Sequence, residues 1–86
     1  MNLIDDSSFI FAFSTQEVRT IGMTMKDNLI KEVKDIKKDT PYNREAFLQS
    51  RSIKIHIIKT CLYTIGYSDI FDRMLKEIDE IFKERM

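Results

Sequence analysis

From Val18 onward the apolar residues fall three and four apart. Val18, Ile21, Met25, Leu29, Val33 and Ile36 make one stripe, about 120° wide on a helical wheel. The stripe begins just after Ser14, and Glu17 stands three residues beyond that serine. This spacing is a capping box, in which the Ser14 hydroxyl accepts from the Glu17 N–H and the Glu17 carboxylate reaches back to the Ser14 N–H. Helix is therefore expected over residues 14–39, with Lys37 and Lys38 complementing the negative end of its dipole. Gly22 falls inside the stripe, where it lowers helix propensity but lets a second helix come close.

Thr40 followed by Pro41 is the strong break in the chain, and Pro at the first helical position is a favoured start. A second helix is expected over 41–65, closed by Gly66 at its C-terminal cap. Its pattern is less simple than that of the first. Ile53, Ile55 and Ile57 alternate as they would in a strand, but residues 44–52 before them are good helix formers, with no turn residue before Gly66. As a helix, the segment carries two seams. Leu48, Arg51, Ile55, Ile58, Leu62 and Ile65 follow coiled-coil spacing with one arginine among them. Ala46, Ser50, Ile53, Ile57, Cys61 and Thr64 form a second line of smaller residues. Together they span an apolar arc of roughly 220°, well beyond the 100° or so that a surface helix needs.

Such a helix must be covered on two sides. Either the other helices of the chain receive both seams, or one side packs on a second copy or another protein, a twofold dimer being the commonest arrangement. Arg51 then either fixes register inside the seam or snorkels from its edge.

The last helix is the cleanest. Phe71, Met74, Leu75, Ile78, Ile81 and Phe82 share a face over 68–85, Ser68 can cap it, Asp69 and Asp72 lie in its first turn, and Lys83 and Arg85 lie in its last. The opening segment is ambiguous, because Phe9, Phe11 and Phe13 alternate yet an all-helical chain offers no sheet to join. The expected fold is all-α: one domain over residues 1–86, a small bundle of three main helices with a short N-terminal helix or extended arm over 1–13.

Composition narrows this reading. Two glycines and one proline in 86 residues favour long helices over a turn-rich β fold. A chain of this size is near the lower limit for a self-sufficient core. Its 14 basic and 14 acidic residues cancel, leaving no overall field to draw it to nucleic acid or anionic lipid. The distribution is uneven: residues 40–65 hold Arg44, Arg51, Lys54 and Lys59 against Glu45, whereas 66–86 hold six acids and four bases. Cys61 is the sole cysteine, which suggests a reducing, cytoplasmic setting. The apolar run near the N-terminus is short and has no basic residue before it, so neither a signal peptide nor a membrane span is expected there.

Candidate chemistry is sparse. Cys61 and His56 are five residues apart on the expected helix, pointing about 140° from each other, so they cannot act as a nucleophile and base within one chain. One Cys and one His cannot make a structural zinc site. The acidic pairs Asp5 and Asp6, Asp69 and Asp72, and Asp79 and Glu80 are explained by caps and solvated faces, and two isolated glycines do not make a phosphate loop. Catalysis, a cofactor, a metal and a small-molecule substrate are not expected. A helix, the Gly66 turn and a further helix do follow the order of a helix-turn-helix, which supplies an alternative, DNA-binding reading. Asp69 and Asp72 argue against it, since they would meet phosphates. The function expected is protein binding, as a regulator, adaptor or neutralising partner, with homodimer contact through Leu48, Arg51, Ile55, Ile58 and Leu62 and aromatic contact through Phe9 and Phe11.

Overall fold

The capping box at Ser14 opens the first helix in the computed structural model of the chain, which describes residues 12–36 and 43–84. The Glu17 N–H donates to Ser14 Oγ at 3.2 Å, and the Ser14 N–H donates to Glu17 Oε1 at 2.9 Å. Helix α1 runs Thr15–Asp35 and stops at Ile36, whose backbone is extended. It is thus shorter than the periodicity suggested, and Lys37, Lys38, Thr40 and Pro41 lie outside the described residues.

The single helix expected over 41–65 is two helices. Helix α2, Arg44–Ser50, is capped by Asn43, whose Oδ1 accepts from the Ala46 N–H at 2.8 Å. Helix α3 follows as Ser52–Thr64. Between them Arg51 leaves helical geometry at φ −113° and ψ 17°. No glycine or proline marks this break. Polar contacts accompany it: the Ser50 hydroxyl donates to the Phe47 carbonyl at 2.8 Å, a local bond that competes with the helical ladder, Arg51 Nη1 donates to Ser50 Oγ at 3.1 Å, and Arg51 Nε donates to Glu32 Oε2 of α1 at 2.7 Å.

Gly66 ends α3 as the spacing predicted. Its φ of +80° suits glycine, and the turn is a Schellman motif, with the Tyr67 N–H on the Leu62 carbonyl at 2.7 Å and the Gly66 N–H on the Tyr63 carbonyl at 3.1 Å. Helix α4 then runs Ser68–Glu84, with Ser68 as its first helical residue instead of its cap. Among the described residues there are four helices, packed together, and no strand. The expected all-α class holds, and the count of three main helices gives way to four. Of the expected N-terminal element only Ala12 and Phe13 are described.

The helices alternate in direction where they touch. Gly22 near the start of α1 lies against Cys61 and Leu62 near the end of α3, while Glu32 near the end of α1 reaches Arg51 and Lys54 at the start of α3. Helix α4 returns from the Gly66 turn towards α2, where Phe82 meets Phe47 at 5.8 Å between ring centroids and Arg44 bonds Asp79. The core between them holds Leu29, Val33, Phe47, Ile58, Leu62, Phe71, Met74, Ile78 and Phe82. A smaller cluster joins Val18 and Cys61, with Ile21, Ile57 and Ile65 against it. Each such side chain, fully buried, contributes about 1.5–3 kcal/mol relative to exposure. Gly22 has the use its position implied, because a Cβ there would sit 3.0 Å from Cys61 Cβ.

Candidate interaction surface

Helix α3 sorts the two seams. Ile58 and Leu62 of the first are fully enclosed by the chain's own helices, and Leu48 and Ile55 are half-buried against the same core. Ile58 and Leu62 therefore present no surface to a second molecule. The reason is geometric: α1 and α4 both pack along this side of α3. Phe47 was missed as an anchor, although on the unbroken helix expected from the sequence it would lie eleven residues before Ile58, three turns back on the same line. It is wholly buried, whereas its neighbour Leu48 is only half so.

The second seam is divided. Cys61 is buried, and burial pushes its thiol above the ordinary cysteine range. Ile57 is half-covered by the Val18 cluster. Ile53, one turn earlier, is 77% exposed. With Ser52, His56 and Ile57 it lines a shallow depression of about 400 Å³ on the outward side of α3. Further along, Tyr63 is exposed on its outer edge, with Lys59 Nζ 5.4 Å from the ring centroid. Phe13 is also exposed, and Phe9 and Phe11 lie outside the described residues.

Arg51 neither sits inside an apolar seam nor snorkels to water alone. It shares Glu32 with Lys54, whose Nζ donates to Glu32 Oε1 at 3.1 Å, and its guanidinium carbon lies 5.6 Å from the Phe47 ring centroid. The Arg51 hydrogen bond is the main cause holding the Glu32 carboxyl below the usual glutamate range; burial opposes it, and Lys54 adds to the lowering. A carboxylate with a depressed folded pKa contributes stability above its unfolded pKa and loses that contribution as pH falls through the lower folded value. Glu32→Gln should accordingly lower stability at neutral pH by up to about 1 kcal/mol, as partly exposed pairs do, and the difference from wild type should shrink as pH falls below the ordinary glutamate range and disappear only below the lowered folded value. Urea unfolding across pH 2–7 measures this.

The other chemical features stay apart. His56 is exposed while Cys61 is buried, and five residues apart on α3 they point about 140° from each other. Among the described residues no group of three or more His, Cys, Asp or Glu side chains could hold a metal ion, and no helix is long and apolar enough to cross a membrane. Asp69 and Asp72 are both exposed in the first turns of α4, where a helix-turn-helix would need to approach phosphate. Comparison with protein-family models, with curated proteins and with solved structures finds no match for this chain.

Proposed function

We propose that the chain is a small non-catalytic protein-binding module, a regulator, adaptor or neutralising partner, and that it self-associates through the outward face of α3. The observation that carries this reading is Ile53, an isoleucine 77% exposed at the rim of a depression whose other apolar wall, Ile57, is already half-covered. A twofold axis near this face would seat Ile53 of each copy against the depression of the other, the isologous pairing most common among oligomers. Burying the pair would remove apolar surface from water on both copies, at about 25 cal/mol per Å².

The face differs from the one the heptad spacing first indicated. Leu48, Arg51 and Ile55 border the core at the α2–α3 break, and they can contribute at the margin of an α3 contact. Ile58 and Leu62 do not.

Light scattering of the full chain across the micromolar range tests the association. Wild type is expected to be dimeric and Ile53→Glu monomeric, with the melting temperature of the monomer scarcely moved, since surface substitutions stay within about 0.5 kcal/mol. A wild-type chain that remains monomeric, or an Ile53→Glu chain that remains dimeric, defeats self-association through this face.

A further inference from the structure

A second surface lies away from the Ile53 face, in the groove between α1 and α4. We propose that it docks an amphipathic helix of another protein whose apolar stripe is flanked by Asp and Glu. The proposal goes beyond self-association through α3 and does not rest on it.

The floor of the groove is apolar but incompletely covered. Met23, Ile30 and Ile70 are half-buried, and Met74 closes the bottom at 2% exposure. Two of these four residues are methionines, whose unbranched, polarisable side chains adapt to an incoming surface. The groove encloses about 560 Å³, room for two or three apolar side chains but too open to hold a small molecule on all sides.

The rim carries the sign of the partner. Lys26, Lys31, Lys34 and Arg73 surround the floor, against two acids, Asp27 and Glu77. This local excess of positive charge occurs in a chain whose charges sum to zero. Lys26 is engaged with Asp27 at 3.1 Å, and Arg73 has only a loose partner in Asp69 at 3.6 Å, with most of its side chain in water. A complementary rim of carboxylates would gain attraction and orientation from these cations, which is how charge sets specificity and association rate at an interface.

The shape selects a helix. From Met23 to Lys34 the lining of α1 spans about 16 Å, three turns, and a third helix laid in the trough between two others repeats the packing of the bundle itself. An extended peptide would leave its backbone N–H and C=O groups facing helices that offer no sheet edge. The partner's anchors should therefore recur at i, i+4 and i+7.

A fluorescein-labelled synthetic helix with leucines at those positions and glutamates beside them is the probe, with a lysine-flanked twin as its control. Fluorescence anisotropy and amide chemical-shift mapping are read on the full chain, and again on full-length Ile53→Glu so that α3 association does not enter. The glutamate peptide is expected to bind at low salt with shifts over residues 23–34 and 70–77. The double variant Lys31→Glu, Arg73→Glu should weaken it by about tenfold or more and reverse the preference towards the lysine peptide. Because both residues are exposed, the variant should fold as wild type does, which circular dichroism checks. The proposal is overturned by equal affinity for the two peptides, by shifts on Ser52, Ile53 and His56 instead, or by no binding. It is equally overturned if groove signals move with protein concentration alone, marking a second copy, or if duplex DNA or anionic vesicles occupy the groove more tightly than the peptide.

Discussion

Replacing Phe47 by alanine should destabilise the chain by about 3–5 kcal/mol, the cost of truncating a buried aromatic. Phe47 is fully buried, and it is the one wholly buried residue of α2. A helix of seven residues is far below the length at which helices persist alone in water, so α2 depends on its packing. Phe47 supplies that packing through Phe82, ring to ring at 5.8 Å and 54°, with the Arg51 guanidinium carbon 5.6 Å from its ring centroid. A loss of this size is a large share of the 5–15 kcal/mol that holds a typical domain together. Urea unfolding should show a much lower midpoint, and Phe47→Leu should recover most of the difference because it refills the volume. Hydrogen exchange should report faster opening of the Phe47 and Arg51 amides, whose bonds to Asn43 and Phe47 tie the helix together. A cost below about 1 kcal/mol would mean that α2 does not belong to the cooperative core.

The part of the fold that was legible in the sequence is the part governed by local chemistry. The capping box at Ser14, the stripe of α1, the glycine stop at Gly66 and the face of α4 each follow from neighbours three to five residues apart, and each stands where the spacing put it. The break at Arg51 was not legible. Its neighbours Ser50 and Ser52 are ordinary helix residues by propensity, and the contact beside the break comes from Glu32, nineteen positions away on α1. The same long-range cause hid the candidate site. Coiled-coil spacing singled out Ile58 and Leu62 correctly as an apolar seam, but spacing cannot tell an internal seam from an external one. That depends on where α1 and α4 lie, and they cover this side while Ile53 stays in water. The basic rim of the α1–α4 groove likewise joins Lys26, Lys31 and Lys34 of α1 to Arg73, some 40 positions further along the chain on α4, and only the packing of the two helices brings them to one groove.

Gly22→Leu should be the next most damaging single change, lowering stability by about 1–3 kcal/mol or more as overpacked sites do. The helices α1 and α3 meet at this glycine. Its missing Cβ would stand 3.0 Å from Cys61 Cβ and 3.2 Å from Leu62 Cδ2. Leu62 can rotate, but Cys61 Cβ is fixed to the α3 backbone, so relief requires the two helices to part and thereby loosens Val18 and Ile57 around them. Gly22→Ala isolates the contact. Alanine gains up to about 1 kcal/mol of helix propensity over glycine, yet the close approach opposes it, so the net change should fall well short of that gain. The identity of the opposing atom sets a sharper test. Cys61→Ala keeps the offending Cβ and should relieve nothing, whereas Cys61→Gly removes it. A double-mutant cycle between Gly22→Ala and Cys61→Gly should therefore show favourable coupling of about 0.5 kcal/mol or more, while the cycle with Cys61→Ala shows none. Coupling equal in both cycles would place the constraint on the sulfur instead of the backbone approach, and the account of Gly22 as the contact point of α1 and α3 would fail.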